Sequence, residues 1–176
     1  MTGKADFTAE EWHLVVQGPP TAGMIVITAQ RGGTFRETFS IAKSYTEAGK
    51  QHGGSELLGE IVAHRPELDR TRFHSPEELR EHGLQHLRDA VALLSSKAPG
   101  ELDAYRSFTL TLAENVADAH RERGSDQGTS DAERAAIDEI TTATEPSPVR
   151  SRRYERSGSP RSRKGASTMS SGRRTP

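Results

Sequence analysis

Residues 100–121, GELDAYRSFTLTLAENVADAHR, carry the clearest helical pattern in the chain. At about 100° per residue, six apolar side chains fall on one stripe and the charged side chains fall opposite it. The stripe consists of Leu102, Tyr105, Phe108, Leu112, Val116 and Ala119. This pattern predicts a helix from about Gly100 to Arg121 with one buried face. No other run of the sequence alternates with the period of two that a half-buried strand needs.

Four pairs of a hydroxyl residue and a glutamate three positions later mark further helix starts. The pairs are Thr8 and Glu11, Thr34 and Glu37, Ser75 and Glu78, and Ser130 and Glu133. Such a pair is a capping box, in which each side chain bonds a backbone amide of the first turn. Phe7 and Trp12 flank the first box as a hydrophobic staple, and Pro76 occupies the first helical position after the third cap.

Apolar periodicity and helix stops complete the prediction. The remaining stripes favour helices over residues 34–51, 55–65, 76–97 and 131–144, with loops over 66–74 and 122–129. The segment Met24–Ile27 is rich in β-branched residues, but a single strand would have no partner. We therefore interpret it as a buried second helix that begins at Pro19-Pro20. The sequence predicts an all-α bundle of about seven helices.

Charge is divided unevenly along the chain, although the net charge of all 176 residues is only −1. Residues 147–176 contain nine basic residues and one acidic residue, which leaves 15 basic and 24 acidic residues, or −9, in residues 1–146. The basic segment has too few apolar residues to offset an ordering cost of about 1–2 kcal/mol per residue. We expect an acidic helical domain over residues 1–146 and a disordered Arg/Ser-rich tail over 147–176.

The tail is the segment that favours a partner. Each phosphate that an arginine or lysine neutralises releases counterions, so a basic segment without a fixed fold can bind nucleic acid or another polyanion. The candidate polyanion-binding residues are Arg150, Arg152, Arg153, Arg156, Arg161, Arg163, Lys164, Arg173 and Arg174. Tyr154 alone is available for base stacking, which predicts non-specific binding. The alternative is an extension that only keeps the protein soluble.

Catalytic patterns are missing from the sequence. It contains no cysteine, which excludes disulfides, thiol nucleophiles, thiolate zinc sites and iron–sulfur clusters. No G-x-S-x-G motif occurs, and the glycine pairs Gly32-Gly33 and Gly53-Gly54 do not match a phosphate-binding loop. The pairs Glu10-Glu11 and Glu77-Glu78 lie in predicted first turns, where acidic residues offset the helix dipole. We expect neither an enzyme nor a cofactor.

Two histidines offer the one sequence pattern for a metal site. His82 and His86 are four residues apart on a predicted helix, and Glu78 lies four residues before His82. Two imidazoles at this spacing can share a metal ion. The apolar stripe places both at its edge or on the solvent face, which favours surface histidines, and no third ligand is specified. The pattern leaves metal binding by this pair open.

Several segments resemble a family of uncharacterised helical proteins that is common in actinobacteria. They are FTAEEW, PPTAGM, ETFSIAKSYTEAGK, GGSELLGEIV, ALLSSKAP and GTSDAERAAIDEI, and together they span nearly all of residues 6–144. The resemblance implies a bacterial helical protein and brings no activity with it. The last segment is also similar to a helix start in TerB-type tellurite-resistance domains. Arg123-Gly124-Ser125 stands where that family has its acidic metal-binding context, so the likeness implies no metal ligand here.

The sequence predicts a cytoplasmic protein that does not enter a membrane. No stretch approaches about 18 apolar residues, and the N-terminus has neither the basic nor the apolar region of a secretory signal. The leading interpretation is a noncatalytic interaction or accessory protein, in which the helical body binds another protein or itself and the tail contacts polyanions. The alternative is a TerB-like stress-response or metal-handling domain.

Overall fold

A computed structural model describes residues 2–29, 38–51, 55–64, 73–121 and 130–146. This part of the chain contains six α-helices and no strand, which confirms the all-α fold class. The helices are α1 (Ala9–Ala29), α2 (Thr38–Gln51), α3 (Glu56–Ala63), α4 (Pro76–Lys97), α5 (Leu102–Arg121) and α6 (Asp131–Thr144). Short 3-10 helices span Lys4–Asp6 and Pro99–Glu101. The predicted tail and the predicted loop 122–129 lie outside the described residues.

Helix α1 lies at the centre of the bundle and packs against α2, α4, α5 and α6. No residue from Leu14 to Ala29 is exposed. This burial explains the apolar segment Met24–Ile27, because a helix surrounded by other helices needs no polar face. The prediction that this segment is buried and helical is confirmed.

Two contacts between α4 and α1 show the direction in which α4 runs. Lys97, the last residue of α4, pairs with Glu11 at the start of α1, with Nζ 2.6 Å from Oε2. Further back along α4, Gly83 lies so close to α1 that a Cβ there would be 2.9 Å from side-chain atoms of Thr21 and Ile25. Helix α4 therefore runs antiparallel to α1, and the missing side chain at Gly83 allows the close approach.

Local capping accounts for the helix starts. The Thr8–Glu11 box is complete, with the Glu11 amide donating to Thr8 Oγ1 at 3.2 Å and the Thr8 amide donating to Glu11 Oε2 at 2.8 Å. The Ser130–Glu133 box is also complete. Ser75 accepts from the Glu78 amide at 3.1 Å, but the Glu78 carboxylate accepts from the amide of His74 instead of Ser75. The predicted box at residues 34–37 lies outside the described part of the chain.

The hydrophobic staple before α1 is confirmed. The Phe7 and Trp12 rings lie 6.2 Å apart between centroids, and Trp12 is 6% exposed. Trp12 also lies nearly perpendicular to the His64 ring, at a centroid distance of 6.4 Å and an interplanar angle of 84°. The indole therefore joins the start of α1 to the end of α3.

The prediction that Pro19-Pro20 begins a second helix is wrong. Both prolines lie inside α1, which continues to Ala29 without interruption. A proline has no amide hydrogen, so Pro19 leaves the carbonyl of Val15 without its usual partner four residues later. The hydroxyl of Tyr105 in α5 donates to this carbonyl oxygen at 2.9 Å. Helix α5 thus supplies the hydrogen bond that Pro19 removes, and the first two predicted helices form one.

Gly18 makes room for that hydrogen bond. A Cβ at this position would lie 2.0 Å from the hydroxyl oxygen of Tyr105. The Tyr105 side chain is fully buried, and this burial, together with the nearby Tyr45, raises the pKa of its hydroxyl above the ordinary value of 10.0. The hydroxyl is therefore a protonated donor throughout the physiological pH range.

Candidate functional site

The structure describes the end of the helical body that immediately precedes the basic tail. Helix α6 ends at Thr144, and Glu145 follows in an extended conformation with φ −67° and ψ 131°. The last described residue is Pro146. The nine predicted polyanion-binding residues, Arg150 to Arg174, lie outside the described residues. The structure shows the surface around Glu145 and Pro146, after which the tail begins.

A groove of about 420 Å³ lies between the C-terminal halves of α4 and α6, beside the point where the tail begins. We call it the α4–α6 groove, and it is lined by Arg88, Val91, Ala92, Ser95, Ser96, Thr142, Ala143 and Glu145. Val91 and Ala143 are each 2% exposed and form its floor. Small side chains on both helices therefore leave an open channel next to Glu145.

The hydroxyl groups that line this groove are used within their own helices. Ser95, Ser96 and Thr142 each donate to a backbone carbonyl of the same helix, at 2.7, 2.8 and 2.9 Å respectively. This back-bonding to the preceding turn is common for serine and threonine in helices. The lining of the groove is more apolar than polar, and Arg88 and Glu145 are its charged members.

Helix α6 and the residues that follow it form a strongly acidic segment. Residues 131–146 contain five acidic residues and one arginine. No basic residue lies in the last turn of α6. The carboxyl end of a helix also carries partial negative charge from its carbonyl groups. The basic tail thus leaves the body from a negatively charged helix end.

A second groove, of about 190 Å³, lies near the N-terminal ends of α4 and α6. Its one basic lining residue, Arg80, is bonded to Glu139 through two guanidinium nitrogens, with Nε 2.6 Å from Oε2. This pairing lowers the pKa of Glu139 and raises that of Arg80. Because the positive charge of Arg80 is compensated within the body, the second groove offers little attraction for an anion.

The two candidate metal ligands make different contacts. His82 is exposed, with Nδ1 3.9 Å from Glu78 Oε1. His86 is half-buried, and its Nε2 lies 2.8 Å from the carbonyl oxygen of Leu14 in α1. Among the residues that the structure describes, no three His, Cys, Asp or Glu side chains are grouped so that they could hold a metal ion. Sequence reasoning could not find the contact of His86, because its partner is 72 residues away.

The adjacent glutamates lie in the first turns of α1 and α4, as predicted. Glu11 caps α1 and accepts from Lys97, which, together with the Thr8 amide, lowers the pKa of Glu11 from its ordinary value of 4.5. Glu78 bonds the amide of His74. Both groups therefore have structural partners at the helix starts.

No described helix is long and apolar enough to span a membrane. Comparison of the chain with known proteins gave no match, since no protein-family model, curated protein sequence or solved structure is significantly similar to it.

Proposed function

We propose that this chain is a noncatalytic interaction protein of the bacterial cytoplasm. Its helical body binds another protein or a second copy of itself, and its tail binds nucleic acid or another polyanion without sequence specificity. The observation that carries the proposal is the separation of charge, with nine basic residues against one acidic residue in 147–176. A polyanion is the partner whose chemistry fits this composition.

The position of the tail also supports this proposal. The chain leaves the body at Glu145, beyond the last turn of α6 and outside the packed core. A segment that starts at the surface can contact a long nucleic acid without any change in the bundle. The acidic body repels the same polyanion, and this repulsion is screened over about 8 Å at physiological ionic strength. Binding through the tail alone is therefore expected to be weak and dependent on salt.

The polar side chains of the body support a noncatalytic role. Tyr105 and His86 bond carbonyl oxygens of α1, and Tyr45 donates to the carbonyl of Ile61 at 2.9 Å. Tyr105 supplies the hydrogen bond that Pro19 cannot, His86 joins α4 to α1, and Tyr45 joins α2 to α3. Their use as structural partners supports a body whose work is to present a surface.

Charge-matched variants of the full chain would test the role of the tail. One variant replaces three tail arginines with glutamine, and the control replaces three exposed basic residues of the body. The tail variant is Arg150→Gln, Arg152→Gln and Arg153→Gln, and the control is Lys43→Gln, Lys50→Gln and Arg134→Gln. The probe is a labelled single-stranded oligonucleotide, followed by fluorescence anisotropy at two salt concentrations.

The two variants have the same net charge, so they separate tail contacts from overall charge. We expect the tail variant to bind more weakly and its salt dependence to fall by about 0.7 in slope for each phosphate that the tail no longer neutralises. The control is expected to bind as the native chain does. Equal weakening in both variants would show that net charge alone governs the interaction. No binding by the native chain at low salt would contradict the proposal and favour the solubility role.

A further inference from the structure

We propose that the α4–α6 groove is the surface through which two copies of this chain associate as a two-fold symmetric dimer. The exposed row Arg88, Ala92 and Ser96 of each α4 packs into the groove of the other copy, and Arg88 of each copy pairs with Glu145 of the other. The inference rests on the proposed function, because it names the partner of the helical body and the surface that binds it.

The groove and its wall have complementary shapes. Arg88, Ala92 and Ser96 are four residues apart, so they form one ridge along α4, and all three are exposed. This ridge is a wall of the groove, whose floor is Val91 and Ala143. A two-fold rotation sets the ridge of each copy against the groove of the other. The small side chains at Ala92 and Ser96 allow the two α4 helices to approach closely.

The chemistry of the lining favours a protein surface as the occupant. The hydroxyls of Ser95, Ser96 and Thr142 donate to carbonyls of their own helices, so covering them leaves no donor without an acceptor. The apolar remainder of the lining gains free energy when it is removed from water. A helix ridge with small side chains can cover this lining without forming new hydrogen bonds.

The two charged residues of the lining form no ion pair among the residues that the structure describes. The Arg88 guanidinium lies 3.4 Å from Oε1 of Gln85, which is a neutral amide. Arg80 bonds Glu139 and lowers the pKa of that carboxyl, and Arg88 adds a smaller effect of the same sign. Two arginines beside one carboxylate leave one positive charge uncompensated. Glu145 is exposed and leaves one negative charge uncompensated.

The two charges are also separated along the groove. The effect on Glu139 places the Arg88 guanidinium near that residue, and Glu145 lies six residues later, about 9 Å farther at 1.5 Å per residue. A two-fold axis reverses the direction of the second copy, so each Arg88 meets the Glu145 of the other copy and the contact occurs twice. The carbonyl groups at the end of α6 add negative partial charge beside Glu145. An unrelated partner would have to supply an acid and a base at this spacing, whereas a second copy carries both.

Charge reversal tests the contact in the full chain, whose net charge of −1 gives two copies little net repulsion. The groove variants are Arg88→Glu and Glu145→Arg. The control variants, Lys50→Glu and Glu114→Arg, make the same changes in net charge at exposed positions outside the groove. Sedimentation equilibrium measures the dimer dissociation constant of each protein alone and of equimolar mixtures, and circular dichroism checks that the helices are intact.

We expect the native chain to dimerise and each groove variant alone to raise the dimer dissociation constant by about tenfold or more, because like charges then meet across the interface. An equimolar mixture of the two groove variants should return to the native value or bind more tightly. In that mixture each contact joins a base of one copy to an acid of the other. The control variants should dimerise as the native chain does, both alone and mixed.

Several results would overturn the proposal. They are a native chain that stays monomeric, a groove variant that dimerises as tightly as its control, and a mixture of groove variants that does not restore dimers. Assemblies that grow beyond two copies would also overturn it, since they indicate a head-to-tail contact. The measurements contain no nucleic acid, so a monomeric chain that still binds the oligonucleotide would contradict the dimer and leave the role of the tail intact.

Discussion

Helices α1 and α4 lie side by side and have nearly the same length, 21 and 22 residues, but they form for different reasons. Helix α4 has a serine cap, a proline at its first position, an apolar stripe and a charged outer face, all within its own sequence. Helix α1 contains two prolines and no basic residue in its last turn, and eleven of its residues are buried. Tyr105 of α5 donates to the carbonyl of Val15 that Pro19 leaves open, and His86 of α4 contacts the carbonyl of Leu14.

This difference shows where the stability of each helix resides. The features that stabilise α4 are local, and each contributes on the order of 1 kcal/mol. The features that stabilise α1 are contacts with other helices, and their removal leaves a buried carbonyl without a partner, at a cost of about 1–3 kcal/mol. We expect the bundle to be more sensitive to changes around α1 than to equally small changes in α4.

The largest expected effect is that of Gly18→Ala. The new Cβ would lie 2.0 Å from the Tyr105 hydroxyl oxygen, so Tyr105 must move and Val15 loses its hydrogen bond. Overpacking and the broken hydrogen bond together are expected to lower the free energy of unfolding by roughly 2–5 kcal/mol. Urea unfolding of the full chain measures this change.

The matched control for that variant is Gly59→Ala in α3, where a Cβ would meet no atom within 4 Å. Alanine is favoured over glycine in a helix by about 1 kcal/mol, so this variant should be slightly more stable than the native chain. Similar destabilisation by both alanines would contradict the role assigned to Tyr105.

Tyr105→Phe is expected to cost less, about 1–3 kcal/mol, because it removes the hydroxyl and keeps the ring. The clash at Gly18 involves that same hydroxyl oxygen, and the next nearest atom, Tyr105 Cζ, would be 3.3 Å from the new Cβ. Gly18→Ala should therefore cost much less when Tyr105 is already phenylalanine. A double-mutant cycle in urea would show a coupling of about 1 kcal/mol or more, whereas additive effects would argue against the contact.

Ser75→Ala at the start of α4 should have a smaller effect, about 1 kcal/mol, because it removes one part-buried capping bond of 3.1 Å. Thermal unfolding measures the change, with Ser107→Ala on the exposed face of α5 as a control of the same chemistry. A destabilisation as large as that of Gly18→Ala would remove the distinction between the two helices.

The smallest expected effect is electrostatic and depends on pH. The pairing with Arg80 lowers the pKa of Glu139 from 4.5, so its contribution is present above that value and is lost as the pH falls below it. Because Glu139 is 37% exposed, Glu139→Gln should cost less than about 1 kcal/mol at pH 7. The difference from the native chain should decrease as the pH falls below 4.5, and a difference that does not decrease would exclude this pairing as its cause.

The sequence was sufficient wherever the signals were local. The bounds of α4 and α6 agree with the prediction because a cap, a stripe and a stop lie next to one another in each. The continuity of α1 could not be predicted, since the group that compensates Pro19 is 90 residues from Val15. A proline pair is ordinarily evidence for a helix boundary, and only the packing of α5 reverses that inference.

The candidate site was predictable in part. Composition identified the basic tail and its arginines, because charge needs no fold to be counted. The α4–α6 groove could not be predicted, since it depends on how two helices that are distant in the sequence pack together. Its one signal in the sequence is the set of small residues Ala92, Ser95 and Ser96 in α4. The apolar stripe of that helix places these residues on the polar face, so the sequence gives no reason to expect a groove there.

The hydrogen bond between Tyr105 and Val15 joins two segments that the ribosome makes at different times. Helix α1 leaves the ribosome before α5, and the hydroxyl that bonds the Val15 carbonyl is translated 90 residues after that carbonyl. At 5–20 residues per second, this interval is roughly 5–20 s. The central helix is thus synthesised before the helices that pack around it and is completed only after α5 has emerged, so we expect its stable folding to wait for most of the body.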